Sequence, residues 1–113
     1  MAKLRILYWK EIPIQIQAED EDGTVSVPLD DRFQEGADFI AVFDGSVGTD
    51  KYLEAWEWGD YINNTKTATL AASELADQFN NGFPRDFVTR IRHLHETGQR
   101  DSRPGTIDNW AHE

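Results

Sequence analysis

The sequence predicts an α+β domain, in which a three-stranded antiparallel β-meander is followed by three or four packed helices. The first 30 residues contain three short runs of alternating apolar and polar side chains, which is the pattern of half-buried strands. From residue 30 to residue 98 the apolar residues recur at helical spacing. With 113 residues, 39% of them hydrophobic and 12% aromatic, the chain can bury one modest core.

The three predicted strands are joined by short turns, as a meander requires. In the first strand Leu4, Ile6 and Tyr8 share one face. Asp22 and Gly23 give a strong hairpin signal before the third strand, because both residue types tolerate positive φ. The strands are predicted over residues 3 to 9, 14 to 19 and 24 to 27.

Capping signals and helical periodicity predict four helices after Pro28. Asp30 or Asp31 caps the first helix. We expect this helix to be the central one, because its apolar stripe is widened on the flank by Phe39, Val42 and Phe43. The first helix is predicted over about residues 31 to 44, and the second begins at residues 48 to 50 and extends through residue 56. The third is predicted over residues 69 to 80 and the fourth over residues 84 to 98. Residues 58 to 66 are predicted to form a loop.

The domain boundary is expected near Gly98, which ends the fourth predicted helix. Residues 1 to 98 form the single predicted domain. Residues 99 to 113 are polar and contain Pro104 and Gly105, so we expect a loose C-terminal tail in which Trp110 is the one residue that docks.

The composition excludes several classes of protein. The chain has no cysteine, which excludes disulfides, thiolate metal sites and cysteine nucleophiles. Its 21 acidic and 11 basic residues give a net charge of −10, which repels nucleic acid and anionic lipid. The apolar run near the N-terminus is too short for a signal peptide or a membrane span. We therefore expect a cytoplasmic protein that binds neither nucleic acid nor membrane.

Three ordered blocks of sequence carry a family resemblance. They are LRILYWKEIPIQ at residues 4 to 15, VPLDDRFQ at residues 27 to 34 and GTDKYLEAW at residues 48 to 56. Together they resemble the small bacterial "virulence factor" family. The resemblance implies a domain without an established reaction, found alone or at the end of longer virulence-associated proteins. It also implies an association of stand-alone members with genes of folate and corrinoid methyl transfer. The acidic turn at residues 19 to 22 and the tail depart from the family pattern.

The first block contains the most unusual run of residues, and two interpretations of it remain open. Aromatic side chains next to a charged pair and a proline are typical of a surface that docks a protein partner, because tyrosine and tryptophan are frequent interface anchors. The same aromatic side chains could instead pack against the sheet while the charged pair fills a bulge. The candidate interaction surface consists of Tyr8, Trp9, Lys10, Glu11, Pro13, Gln15 and Arg32.

Arg32 belongs to this surface for a separate reason. It lies in the first turn of a predicted helix, where a basic residue is unfavourable for the helix dipole. An ion pair with Glu11 or Asp50 would explain its position. The alternative is recognition of a carboxylate or phosphate, for which the guanidinium fork is suited.

A second candidate site is an aromatic and acidic cluster that could stack on a planar ligand such as a pterin. Its side chains could equally seal the core while the neighbouring glutamates face water. A deep pocket would favour a ligand, and a flat exposed aromatic patch would favour a protein partner. The residues of this cluster are Asp50, Tyr52, Trp56, Trp58 and Tyr61.

No catalytic or metal-binding motif is recognisable in the sequence. His93 and His95 point in different directions on a helix, so they do not form a metal pair, and His95 is expected to be half-buried. We therefore predict a protein that is not an enzyme, has no cofactor or metal and binds an unidentified protein partner. The alternative is a ligand-binding or accessory subunit of folate and corrinoid one-carbon methyl transfer.

Overall fold

The computed structural model describes residues 1–112. Strand β1 (Ala2–Trp9) lies at the centre of an antiparallel sheet, with β2 (Ile12–Asp20) on one side and β3 (Gly23–Pro28) beyond it. In the β1–β2 pairing Ile6 is opposite Ile16, and in the β2–β3 pairing Ile16 is opposite Val27. The predicted α+β class and three-stranded meander are therefore confirmed.

The sheet contains two more strands than predicted. β4 (Trp56–Trp58) and β5 (Ile62–Asn64) pair antiparallel with the two ends of β1, on the side away from β2. Between them, the N–H of Gly59 donates to the carbonyl of Ile6 at 2.8 Å. The segment predicted as a loop is thus an interrupted edge strand, and each piece is too short to show its own periodicity.

Among residues 1–112, four helices pack against the sheet or against one another. They are α1 (Asp31–Phe43), the short α2 (Asp50–Glu54), α3 (Ala68–Gly82) and α4 (Phe87–Glu96). The second predicted helix ends before Trp56, because that residue belongs to β4. Within residues 1–112, none of these helices combines the length and apolarity needed to cross a lipid bilayer.

The helices cover one face of the sheet, where Leu4, Ile6 and Ile16 are buried. The stripe predicted for α1 is buried at Phe33 and Ile40. The residues predicted to widen this stripe are not all buried, since Phe39 is 49% exposed and Val42 is 66% exposed. The burial of His95 was also predicted wrongly, because its side chain is exposed at the end of α4.

Gly36 marks the closest approach of α1 and α4. A Cβ added at this position would lie 2.7 Å from Cζ of Phe87, so only glycine fits without a shift of that ring. The Phe87 ring in turn stacks on Phe33, with ring centroids 5.3 Å apart. The central packing of the two helices depends on this small residue.

The segment after Gly98, expected to be a loose tail, packs against the domain in this structure. It ends in a 3₁₀ helix, Asp108–His112, beside α3, and Ile107 and Ala111 are buried in the core. Trp110 docks as predicted, near Phe83. The polar composition of the segment hides this packing, because its buried residues are few and scattered.

Replacement of Gly82 by alanine tests whether the tail is docked. At an exposed helical position, glycine to alanine stabilises by about 0.5–1 kcal/mol. A Cβ at Gly82 would instead lie 2.0 Å from the carbonyl oxygen of Ala111. We expect Gly82→Ala to lower the free energy of unfolding by about 1–3 kcal/mol, as overpacking does, measured by urea denaturation. Asn81→Ala, at the exposed neighbouring position, is the control. Stabilisation by Gly82→Ala would contradict the docked position of the tail.

Candidate functional site

A cluster of buried charged side chains lies beside the turn between β1 and β2, and it is here called the charge cluster. Its members are Lys10, Glu11, Asp44, Ser46 and Arg100. The side chains of Glu11, Asp44 and Arg100 are 1%, 3% and 7% exposed. Two carboxylates face two cations, so the cluster is neutral overall.

Arg100 connects the two carboxylates. Its Nε and Nη2 donate to the two carboxylate oxygens of Glu11 at 2.7 and 2.8 Å, a bidentate pair. Its Nη1 donates to Oδ2 of Asp44 at 3.0 Å. The same Oδ2 accepts from Nζ of Lys10 at 2.6 Å. Every charged group of the cluster therefore has a partner of opposite sign.

Local backbone geometry brings these groups together. Lys10 has φ of 52°, which turns the chain sharply between β1 and β2, and its N–H donates to the carbonyl of Ala55. Asp44 follows the last residue of α1, and its Oδ1 accepts from both N–H and Oγ of Ser46. The hairpin and the end of α1 thus present two carboxylates to the same point.

The charge cluster alters the pKa of Asp44 and that of Arg100. Burial alone would raise the pKa of Asp44, but hydrogen bonds from Lys10, Ser46 and Arg100 outweigh it and lower that pKa to about 2. Burial would lower the pKa of the Arg100 guanidinium, but Glu11 and Asp44 raise it. Both groups stay charged at neutral pH, so the cluster acts as a fixed clamp.

The aromatic pair of the first block is buried as well. Trp9 is 0% exposed, its Nε1 donates to the carbonyl of Tyr52 at 3.0 Å, and the two rings lie 5.7 Å apart. Tyr8 is 4% exposed, and its hydroxyl donates to Oδ2 of Asp108 at 2.6 Å. Burial raises the pKa of both Tyr8 and Asp108, and Oδ1 of Asp108 is buried with no hydrogen-bond partner among residues 1–112.

Most of the candidate interaction surface at residues 8 to 15 is therefore buried, although Lys10 and Gln15 are partly accessible. Glu11 is buried in an ion pair, Pro13 is fully buried and Gln15 is half-buried in β2. Lys10, whose side chain is 22% exposed, is the most accessible member of the charged pair and is bound to Asp44. The packing interpretation of this run agrees with the structure.

Arg32 also has a different role from the ion pair expected for it. Its Nη2 donates to the carbonyls of Asn80 and Phe83, and its Nη1 to that of Pro84. Arg32 thus satisfies carbonyls at and just beyond the end of α3, which the helix itself leaves unpaired. Burial lowers the pKa of its guanidinium. Its remote partners explain why helix-dipole reasoning on α1 missed this role.

The aromatic and acidic cluster separates into two groups. Tyr52 and Trp56 pack together around the buried Trp9, with Asp50 exposed at the start of α2. Trp58 and Tyr61 lie elsewhere, 38% and 49% exposed. The five residues therefore do not line a common pocket.

Trp58 and Tyr61 lie on the face of the sheet opposite to the buried Leu4, Ile6 and Ile16. The part of this face beside residues 3 to 7 of β1, beyond the buried Trp9, is here called the open face. Trp58 pairs with Leu7 in β1, and Arg5 lies two residues before Leu7 on the same face. The guanidinium carbon of Arg5 is 4.1 Å from the Trp58 ring centroid and 5.1 Å from that of Tyr61. The open face includes Lys3, Arg5, Leu7, Gln15, Gln17, Glu19, Ser26, Trp58, Tyr61 and Asn63.

Surface cavities of about 430 and 320 Å³ lie at the end of the sheet near Asp20, and Lys3 and Asn63 are in the wall of the larger one. A cavity of about 240 Å³ is lined by Lys10, Lys51 and Glu54 among others, and one of about 270 Å³ by Arg32, Asn80 and other polar residues. Neither includes Trp58 or Tyr61 in its walls. Among residues 1–112, no group of three histidine, aspartate or glutamate side chains is placed to hold a metal ion.

Sequence reasoning missed Asp44, Ser46, Arg100 and Asp108. They have no recognisable local pattern in the sequence. Their roles arise from contacts between distant segments: Glu11 and Arg100 are 89 positions apart, and Tyr8 and Asp108 are 100 apart.

Comparison with known proteins gives one match. The family model described as "Virulence factor" matches residues 7–91, which is most of the chain and includes Glu11 and Asp44 but not Arg100. No curated protein and no solved structure matches the chain.

Replacement of Arg100 by methionine tests the charge cluster. It would leave Glu11 buried and uncompensated, which costs about 3–5 kcal/mol of unfolding free energy in comparable buried pairs. Arg103→Met is the matched control, because Arg103 is 81% exposed and its ion pair is with Asp101 at the surface. We expect the control to leave the midpoint of urea denaturation close to that of wild type. Further replacement of Glu11 by glutamine should recover part of the Arg100→Met loss. Equal losses in both single variants would contradict a buried clamp.

The pKa of Asp44 predicts a specific dependence of stability on pH. It is lowered from the ordinary value of 3.8 to about 2, so its contribution is complete above pH 3.8 and is lost as pH falls through about 2. We expect Asp44→Asn to lower the unfolding free energy by about 2 kcal/mol at pH 6, with the difference from wild type vanishing near pH 2. Urea midpoints at each pH measure this. Asp77→Asn, at an exposed position of α3, is the control. A difference that does not change between pH 6 and pH 2 would rule out this linkage.

Proposed function

The chain belongs to the virulence factor family, and we propose that it is a non-enzymatic accessory domain that binds another protein through its open face. The observation that carries the proposal is a pair of accessible aromatic rings, Trp58 and Tyr61, beside Arg5 on the open face. Tryptophan, tyrosine and arginine are the residues most enriched at the energetic centres of protein interfaces.

The shape of this region supports a protein partner over a small ligand. A small ligand normally occupies a concave pocket that encloses most of its surface. Trp58 and Tyr61 instead project from neighbouring stretches of an edge strand, beside the half-buried Leu7. A flat surface of this kind fits the broad contact of a protein better than the enclosure of a pterin ring.

The charged residues of the domain also fit a binding role. Glu11, Asp44 and Arg100 saturate one another in the charge cluster, where they are closed off from solvent. A catalytic acid or base must instead reach a substrate and exchange a proton near neutral pH. This arrangement supports assigning the cluster to stability and the open face to contact. We expect the domain to act in the cytoplasm.

Photo-crosslinking in the native host tests the proposal. A photoreactive amino acid is placed on the open side of the sheet, at Ser26 or Asn63, and on the helical side, at Glu35 or Asp77; all four positions are exposed. We expect a defined crosslinked partner from the first two positions and none from the last two.

The specificity of that contact is measured with the purified partner. A Trp58→Ala variant should bind about 30-fold more weakly, as expected for an interface residue worth 2 kcal/mol, while its urea midpoint stays near that of wild type. Leu70→Ala, at an exposed apolar position of α3, should bind normally. Equal crosslinking from both sides, or unchanged affinity of Trp58→Ala, would rule out the open face. Saturable binding of folate to the purified chain would favour the ligand alternative.

A further inference from the structure

Arg5 is held in place by contacts on three sides. Its guanidinium lies over the rings of Trp58 and Tyr61, at 4.1 and 5.1 Å from their centroids. Its Nε donates to Oε1 of Gln17 on β2 at 2.8 Å. Stacking and this hydrogen bond fix the plane of the guanidinium, so its orientation is set before any partner arrives.

The terminal nitrogens of Arg5 are not used by the chain itself. Within residues 1–112, no acceptor lies in hydrogen-bond reach of either Nη atom, and no carboxylate lies within 4.0 Å of the guanidinium. The other anchored arginines differ. Arg32 directs its terminal nitrogens to backbone carbonyls, and Arg100 directs its own to Glu11 and Asp44. Arg5 therefore has an oriented fork of donors with nothing bound to it.

We propose that Arg5 is a preformed receptor for a carboxylate side chain of the partner, an aspartate or glutamate flanked by apolar residues. The proposal rests on the proposed function of the open face and names the chemistry of its partner. Two parallel N–H donors match the two oxygens of a carboxylate, and the immobilised guanidinium loses little rotamer freedom on binding. Leu7 and the rings of Trp58 and Tyr61 supply the apolar surface beside the fork.

Charge selects the class of anion. Lys3 is the nearest other cation of the open face, and it already pairs with Glu19 at 3.4 Å. Among residues 1–112, the open face offers a single available guanidinium on a chain of net charge −10, and this suits a single negative charge. A phosphate dianion or a nucleic acid backbone requires several cations to offset repulsion from the remaining acidic surface. A protein carboxylate is therefore the anion that this face fits.

A random peptide display library, selected on the immobilised full chain, tests the receptor. We expect selected peptides to share an aspartate or glutamate next to apolar residues. Their affinity for Arg5→Gln should fall about tenfold or more, because charged hydrogen bonds are lost. Arg85→Gln removes the same charge from an exposed position and should leave the affinity unchanged. Arg5→Lys keeps the charge but loses the fork and should recover only part of the binding.

A double-mutant cycle assigns the contact to the two groups. Changing the peptide's acid to its amide should weaken binding to wild type about tenfold and should have no further effect on Arg5→Gln. Peptides that depend on Trp58 but need no acid would overturn the carboxylate receptor and leave the proposed function standing. Failure to select acidic peptides would also overturn it, with open-face crosslinking in the host still testing the proposed function separately. Tighter binding of a phosphoserine version, or of a single-stranded oligothymidine, would show a different anion and overturn the assignment.

Discussion

Neutralisation of two buried carboxylates is the constraint on which the rest of the structure depends. Glu11 lies in the turn between β1 and β2 and Asp44 at the end of α1, and each is almost inaccessible to solvent. A buried carboxylate is tolerated only when a cation and further hydrogen bonds compensate for lost hydration. Arg100 pairs with both carboxylates, while Lys10 pairs with Asp44 alone, so the segment after α4 must return across the domain. The position of the tail follows from this requirement.

Local patterns in the sequence were sufficient to predict those helices and strands that are long enough to show their own periodicity. The meander and helices α1, α3 and α4 were predicted in this way, because each shows enough repeats of its apolar spacing. Strands β4 and β5 have three residues each, so their identity comes from pairing with β1 and not from their own composition. Trp56 illustrates the limit: its spacing from Tyr52 fits a helix, yet its backbone pairs with Trp9.

The candidate site was harder to predict for a related reason. Aromatic and charged residues are attractive as contact residues and equally suitable as packed ones, and the choice depends on what covers them. Tyr8 and Glu11 are covered by Asp108 and Arg100, which no local pattern connects to them. Trp58 and Tyr61 are similar in type but lie on the side of the sheet that the helices leave uncovered. Side chains of the same types therefore stabilise the fold where other elements cover them, and are proposed contact residues where the sheet is uncovered.

The separation of Glu11 and Arg100 by 89 positions sets the order in which the chain can fold. The hairpin is synthesised before Arg100, so its buried charge has no guanidinium partner until Arg100 has left the ribosome. Contacts between such distant residues carry a large loop-closure cost and form slowly. Nascent chains should therefore remain incompletely folded, and open to proteases and chaperones, until that point. The family match ends at residue 91, so a fragment trimmed to that boundary would be held in the same unfinished state.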